Sequence, residues 1–236
     1  MDNANKIFLT ARWENLILVT YKIKPEMLQE YLPGGLEPDT IDGNAFASLV
    51  AFDFLDTKIK GIKIPFHINF PEINLRAYVK NIDKHGVIFI REFVPKFFIS
   101  LAANTIYNEK YKSAIMKSRA EINGSLLLSH TIKHKGKEYN INLEADNKPY
   151  MPPVDSTEHF FKEHEWGFGT NRVGEALMYR VEHPFWEVYP IIKFEHNFDF
   201  GALYGNKWES LNDESPYNIT LAKGSQIKVF GGSIIK

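Results

Sequence analysis

Four polar residues alternate along the stretch FPEINLRAYV, which runs from Phe70 to Val79. If the stretch is an extended strand, one face is apolar and the other carries Glu72, Asn74, Arg76 and Tyr78. A rise of about 3.3 Å per residue places Glu72 and Arg76 roughly 13 Å apart, too far to form an ion pair with each other. Each side chain must therefore find its own partner, either water on an exposed sheet face or a bound molecule in a pocket.

Three lysines, Lys110, Lys112 and Lys117, form a second group of residues that could take part in chemistry. A lysine amine attacks a carbonyl carbon when burial or a neighbouring cation lowers its pKa from about 10.4. Lys110 and Lys112 would share one face of a strand, where each would lower the pKa of the other. Ordinary surface lysines are the alternative, and the sequence favours that alternative because the chain is rich in lysine.

The stretch FKEHEWGFG, Phe161–Gly169, brings carboxylates, an imidazole and aromatic rings close together in sequence. It lacks the HExxH spacing of zinc peptidases, and the eight histidines of the chain show no ligand spacing, so no metal site is expected. Trp166 is interpreted as a residue of the packed core. His164 is interpreted as a residue whose ring is satisfied by hydrogen bonds. His183, which precedes Pro184, is also expected to be a structural hydrogen-bonding residue, with a functional role as the alternative.

The elements that must position these residues are mostly strands. Leu16–Ile23 and Ala45–Phe54 are rich in branched and aromatic residues. The alternating stretch 70–79, a turn at KHG (84–86) and a second strand VIFIREFV predict a hairpin. From Pro95 the apolar residues recur at helical spacing, which predicts a helix of about three turns.

The second half of the chain continues in the same way. It contains a predicted hairpin turn at residues 135–137, a proline-rich stretch at 146–156, a short helix with Asp155 at the capping position, a strand ending at Pro184, and a last strand pair around Lys223-Gly224. This pattern predicts a mainly β (α+β) protein with an antiparallel sheet curled into a barrel or sandwich. Glycine-rich phosphate-binding motifs are absent from the sequence, so a doubly wound nucleotide fold is not expected.

The amino-acid composition argues against several classes of binding partner and of chemistry. The 236 residues include 28 Lys+Arg and 29 Asp+Glu, a net charge of -1, and no basic cluster, so neither nucleic acid nor a membrane is expected as a partner. The absence of cysteine excludes disulfides and thiolate chemistry. The polar start MDNANKIFLTARW does not resemble a secretory signal, and no apolar run approaches the roughly 20 residues of a membrane span. A cytoplasmic location is expected.

Four stretches, in order over nearly the whole chain, resemble the YqjF-like family of uncharacterised bacterial proteins. They are NLILVTYKIKPEMLQEYLPGGLEPDTIDGNAFASLVAF, PEINLRAYVKNIDKHGVIFI, EHEWGFG and VEHPFWEVYP. That family is similar in fold to acetoacetate decarboxylase. The resemblance therefore implies one domain, residues 1–236, whose sheet forms a cone-shaped barrel around a largely apolar cavity, with the proline-rich stretch as an internal crossover.

The resemblance also implies roles for particular residues. In the decarboxylases a buried lysine forms a Schiff base with a β-keto acid, a second lysine lowers its pKa, and a glutamate and arginines line the cavity. Glu72 matches the position of that glutamate. Tyr111 falls at the position of the nucleophile and Lys110 one residue away, and a shift of one residue on a strand turns a side chain to the opposite face. Lys110 and Glu72 are the implied catalytic pair if the protein is an enzyme.

Three functions follow as hypotheses. The first is a cavity protein that binds a small, partly apolar ligand, with a ligand carboxylate meeting Arg76 and without a cofactor. The second is a Schiff-base lyase or decarboxylase acting on a small keto acid, and the third is a structural or partner-binding domain without a ligand. The superfold often self-associates, which allows a homo-oligomer. The residues predicted to bind the ligand are Glu72, Asn74, Arg76, Tyr78, Tyr111, His164, Trp166 and His183.

Overall fold

The computed structural model describes residues 5–95, 111–171 and 173–235, and these residues form mainly β-strands. The strands are β1 (Ile7–Ile23), β2 (Glu37–Pro38), β3 (Ala45–Ile59), β4 (Phe70–Asn81), β5 (Lys84–Val94), β6 (Tyr111–Ser113), β7 (Ile115–Asn123), β8 (Ser125–His134), β9 (Lys137–Ala145), β10 (Trp166–Thr170), β11 (Ala176–Glu182), β12 (Val188–Tyr189), β13 (Ile191–His196), β14 (Asn218–Phe230) and β15 (Ser233–Ile234). The helical segments are α1 (Thr157–Lys162), α2 (Phe200–Tyr204) and the 3₁₀ helices Pro25–Leu28 and Asn206–Asn212.

The larger of the two sheets that the described residues form closes into a barrel. Its strands follow the order β14-β1-β3-β4-β5-β10-β11, and β11 pairs again with β14 where Val181 lies opposite Val229. Most neighbours are antiparallel, but β5 runs parallel to both β6 and β10. The smaller sheet has the order β13-β9-β8-β7. The prediction of a mainly β protein with a curled sheet is confirmed, although the sheet is mixed.

Both faces of the barrel sheet are buried. On the outer face, branched residues such as Ile17, Leu49 and Ile73 pack with the smaller sheet and with α2. The inner face carries a second cluster that includes Leu18 and Val50. Because other elements cover the outside of the barrel, its inner face can hold polar side chains around a cavity.

The hairpin of β4 and β5 turns two residues earlier than predicted. The turn contains Ile82, whose φ is 53°, and β5 already begins at Lys84. Gly86 lies within β5, where an added Cβ atom would be 2.3 Å from the carbonyl oxygen of Trp166. Glycine is therefore needed at position 86 for the close approach of β10 to β5.

The predicted strand pair around Lys223-Gly224 is wrong, because β14 is one continuous strand. Gly224 has a φ of 81°, and an added Cβ atom would lie 2.1 Å from the carbonyl oxygen of Trp13. It lies between the part of β14 that pairs with β12 and the part that pairs with β11. A glycine at such a place permits a bend in a barrel strand without a reversal of direction.

The other predicted elements have different outcomes. The turn between β8 and β9 is confirmed, with positive φ values at Lys135 and Gly136. Helix α1 is confirmed, but its N-terminal cap is Ser156, which accepts a hydrogen bond from the His159 amide at 3.1 Å, and not Asp155. The helix predicted from Pro95 lies outside the described residues. Among the residues that are described, no helix combines the length and apolar character needed to span a lipid bilayer.

Candidate functional site

The inner face of the barrel surrounds a cavity of about 170 Å³. A cavity needs about 10–15 Å³ of volume to hold one water molecule, so this cavity has room for roughly a dozen ligand atoms. The end nearest solvent includes Ile64, which is 39% exposed. The apolar part of the wall consists chiefly of Leu9, Trp13, Leu16, Val50, Phe52, Phe54, Phe70, Val87, Phe89, Val181 and Val229.

Polar side chains from three neighbouring strands gather on one part of the cavity wall. Glu72, Asn74 and Arg76 come from the inner face of β4, where they alternate with the residues of the outer face. Glu92 pairs directly with Asn74 from β5, and Tyr111 pairs with Glu92 from β6. Glu72, Asn74 and Glu92 are each no more than 3% exposed, so this polar group is removed from bulk water.

Glu72 is an acid in this group whose pKa is strongly shifted. Its Oε1 accepts a hydrogen bond from Asn74 Nδ2 at 2.8 Å, and its Oε2 accepts one from the Tyr111 hydroxyl at 3.3 Å. Burial raises the pKa of Glu72 to about 7, although both hydrogen bonds and the positive charge of Arg76 act in the opposite direction. A carboxyl group with such a pKa can give or take a proton near neutral pH.

Arg76 is held at the cavity wall by the backbone. Its Nη2 donates to the carbonyl oxygen of Phe161 at 2.9 Å, and its guanidinium carbon lies 5.6 Å from the centre of the Tyr78 ring. The structure contains no ion pair between Arg76 and Glu72 within 4.0 Å, as the strand spacing predicted. Arg76 Nε is buried and has no hydrogen-bond partner among the described residues.

His164 also borders the cavity and lies against the ring of Tyr78, with 4.9 Å between ring centres. Its Nε2 is 4.0 Å from Asp39 Oδ2, and the same oxygen accepts a hydrogen bond from His85 Nδ1 at 2.7 Å. Burial lowers the pKa of His164, which favours the neutral imidazole. The Nδ1 atom of His164 has no hydrogen-bond partner among the described residues.

The other residues predicted to bind a ligand divide between the cavity and the surrounding core. Trp166 lines the cavity beside Gly167. Tyr78 is fully buried, and its hydroxyl is hydrogen-bonded to Ser48 at 2.6 Å, so it supports the wall and does not line it. His183 does not line the cavity; it stacks on Trp186 with 4.0 Å between ring centres, and Trp186 in turn packs against Trp13 of the cavity wall.

The predicted nucleophile, Lys110, lies outside the described residues. Tyr111, one residue later, contributes to the cavity wall, whereas Lys112 borders a different recess on the other side of the sheet. Among the described residues, no lysine lines the cavity. The fully buried Lys162 forms an ion pair with Glu163 outside the cavity wall.

The sequence analysis missed Glu92 and Asp39. Val87 and Phe89 of β5 face the cavity, so strict alternation would place Glu92 on the outer face. An irregularity in the pairing between Phe89 and Arg91 turns Glu92 inward, and no period-two pattern in the sequence indicates it. Asp39 lies in a loop next to the short strand β2, where no periodic pattern indicates burial. In the described part of the chain, no three histidine or acidic side chains are close enough together to hold a metal ion.

Comparison with known proteins identifies the family. The model of DUF2071, a family described as uncharacterized conserved protein, matches residues 10–226. The chain belongs to the DUF2071 family. A curated relative, the uncharacterized protein YqjF of Bacillus subtilis (strain 168), is 27% identical over 154 residues, which cover 64% of this chain and 63% of YqjF. The chain thus matches less than two thirds of the length of that relative.

Solved structures similar to this DUF2071 protein show the fold. An acetoacetate decarboxylase-like enzyme from Sphingomonas wittichii RW1 has a TM-score of 0.67 at 13% identity, with 100% of this chain and 94% of that chain covered. The enduracididine biosynthesis enzyme MppR complexed with pyruvate has a TM-score of 0.69 at 13% identity, with 97% and 90% covered. The acetoacetate decarboxylase of Legionella pneumophila has a TM-score of 0.64 at 12% identity, with 100% and 90% covered. At these identities the likeness establishes an acetoacetate decarboxylase-like fold.

Proposed function

We propose that this DUF2071 protein binds a small, partly apolar molecule with a carboxylate or keto-acid group in the barrel cavity. The observation that carries the proposal is a set of buried polar atoms on the cavity wall that lack hydrogen-bond partners among the described residues. They are Arg76 Nε, Asn74 Oδ1 and His164 Nδ1. Buried polar atoms in native proteins are nearly always hydrogen-bonded, which supports a ligand or ordered water as the partner of these atoms.

The chemistry of these atoms indicates the class of ligand. The free N–H of Arg76 suits a carboxylate or carbonyl oxygen, because charge-assisted hydrogen bonds are the strongest that a guanidinium makes. The aromatic and branched remainder of the wall suits an apolar body. A protonated Glu72 would donate a hydrogen bond to a ligand oxygen instead of repelling it. MppR, with a similar fold, was solved with the keto acid pyruvate, which supports this class of ligand.

Calorimetric titration with benzoate tests the proposal, with benzyl alcohol as an uncharged probe of similar size. We expect saturable binding of benzoate, and at least tenfold weaker binding in R76Q, since that change removes the charged hydrogen-bond donor. Binding of benzyl alcohol should change much less in R76Q. The control is R119Q, which removes an arginine that is exposed on β7 and pairs with Glu121.

Two results would overturn the proposal. One is the absence of saturable heat with either probe, together with native mass spectra of gently purified protein that show no retained molecule. The other is an equal loss of benzoate affinity in R76Q and R119Q, which would reflect net charge and not the cavity. Circular dichroism of R76Q establishes whether the variant is folded before its affinity is interpreted.

Schiff-base chemistry on a keto acid is the second candidate, and the raised pKa of Glu72 favours it. An acid with a pKa of about 7 is suited to proton transfer at neutral pH, but a nucleophilic amine is also required. Lys110 is the proposed nucleophile. Borohydride reduction in the presence of pyruvate, followed by peptide mass mapping, tests this role. An adduct on Lys110 supports a lyase, and the absence of an adduct on Lys110 and Lys112 excludes it.

A structural domain without a ligand is the least supported of the three hypotheses. A barrel with only a structural role would gain stability by filling its interior with side chains, because packed interiors leave few voids larger than a water molecule. The cavity of about 170 Å³ and its unpaired polar atoms argue against that role.

A further inference from the structure

A second group of charged residues lies outside the barrel cavity. Arg91 on β5, Lys112 on β6, and His134 and Lys135 at the end of β8 border an open recess of about 380 Å³. We refer to these four residues as the cationic recess. Glu92 and Tyr111, next to two of them in sequence, line the barrel cavity, so alternation along β5 and β6 separates the two sites.

The four side chains act on one another electrostatically. Burial lowers the pKa of Lys112, and the positive charges of Arg91 and Lys135 lower it further. Burial also lowers the pKa of His134, and Lys135, Lys112 and Arg91 add to this effect. The groups acting on these two residues are thus all positive, and they are close enough to repel one another.

Two carboxylates, Asp199 and Glu209, also border the recess and partly offset the positive charges of Arg91, Lys112 and Lys135. Within the described parts of the chain, none of the four residues forms an ion pair within 4.0 Å. Asp199 borders the recess, but its Oδ1 accepts a hydrogen bond from the Ala202 amide at 2.9 Å and caps α2. Glu209, the other acid at the margin, lies beside Gly201. The Arg91 guanidinium is oriented by the carbonyl oxygen of Leu203, to which Nη1 donates a hydrogen bond.

We propose that the cationic recess is a binding site for a small multivalent oxyanion, namely phosphate or the phosphate group of a small metabolite. A guanidinium in fixed orientation and two ammonium groups from neighbouring elements offer several donors to one tetrahedral anion. A monocarboxylate would neutralise only one of these cations. The recess is open and its wall is largely polar, so it offers no enclosed apolar surface for a second part of the ligand. This site is independent of the function proposed for the barrel cavity.

Calorimetric titration with inorganic phosphate at pH 8 and constant ionic strength tests the proposal, with glycerol 3-phosphate in a parallel titration. Wild-type protein should give saturable binding of inorganic phosphate. The double variant K112Q/K135Q should bind at least tenfold more weakly. The matched control K117Q/K148Q loses the same charge at two exposed lysines outside the recess and should keep the wild-type affinity.

The outcomes separate the site from a general effect of charge. Tighter binding of glycerol 3-phosphate than of inorganic phosphate identifies a phosphate ester as the ligand, and the reverse order identifies free phosphate. No saturable binding of either anion by the wild-type protein overturns the proposal. Equal losses in K112Q/K135Q and K117Q/K148Q also overturn it, because nonspecific attraction would then explain the binding.

Discussion

Among single residues, Glu72 should make the stability of the protein depend on pH. Burial raises its pKa from the usual 4.5 to about 7, so between these values the folded chain keeps a proton that the unfolded chain releases. The proton-linked stabilisation is therefore complete below about pH 4.5 and is lost as the pH rises through 7. We expect the free energy of unfolding of the wild-type protein to fall by about 2–3 kcal/mol more than that of E72Q between pH 5 and pH 8.

Urea unfolding at the two pH values measures this difference. Glutamine retains the volume of Glu72 and can still form hydrogen bonds with Asn74 and Tyr111, so E72Q should remain folded. E195Q, a change at an exposed acid that pairs with Lys193, should keep the wild-type dependence on pH. Parallel pH dependences of E72Q and wild-type protein would show that Glu72 is not protonated in this range.

The sequence predicts the orientation of some site residues but not the surroundings of others. Alternation alone places Glu72, Asn74 and Arg76 on one face, because the period of a strand is two residues. It cannot separate Arg76 from Tyr78, whose hydroxyl is hydrogen-bonded to Ser48 on the neighbouring strand β3. The surroundings of His183 likewise depend on long-range packing, which one sequence does not encode as a local pattern.

Among the structural elements, the parallel contact of β5 with β10 depends on Gly86. An added Cβ atom would lie 2.3 Å from the Trp166 carbonyl oxygen and 2.6 Å from the Phe168 ring. Gly86 does not have a positive φ, so alanine is unfavourable at this position for steric reasons alone. We expect G86A to lower the free energy of unfolding by about 1–3 kcal/mol or more, as overpacking does in other cores.

The control for this change is G34A. An added Cβ atom at Gly34 has no heavy atom within 4 Å, and its φ is also not positive. G34A should be neutral or should stabilise the protein by up to about 1 kcal/mol through the unfolded state. Urea unfolding compares the two variants, and equal stabilities would contradict a tight contact between β5 and β10.

Gly86 and Gly224 also show why element boundaries were predicted incorrectly. Both glycines were interpreted as turn residues, since glycine is common where a chain reverses direction. In the structure, Gly86 allows another strand to approach, and Gly224 permits a bend within β14. The local sequence is the same in either case, because the difference arises from strands that are distant in sequence.

At the scale of the whole molecule, closure of the sheet creates the cavity. The composition and strand pattern predicted a curled sheet, but the closing contact between Val181 and Val229 joins strands that no local pattern pairs. The smaller sheet and α2, which cover the outer face, are likewise distant in sequence from many of the strands that they cover. The barrel therefore has an apolar outer face in contact with other elements and an inner face that can be partly empty and partly polar.

This difference between the faces leads to a prediction about paired valine substitutions. Val87 is buried on the inner face and lines the cavity, whereas Val19 is buried on the outer face within the packed core. A flexible methionine at position 87 can extend into the void, so V87M should change the free energy of unfolding by less than about 1 kcal/mol. V19M has no void to enter and should cost about 1–3 kcal/mol.

The same pair of variants should behave in the opposite way in benzoate binding. V87M fills part of a cavity of only about 170 Å³, so its affinity for benzoate should fall at least tenfold. V19M leaves the inner face intact and, in conditions where it is folded, should bind benzoate as the wild-type protein does. Urea unfolding and calorimetry on both variants make the comparison. A large stability loss in V87M with unchanged benzoate affinity would mean that the inner face is packed and that benzoate binds elsewhere.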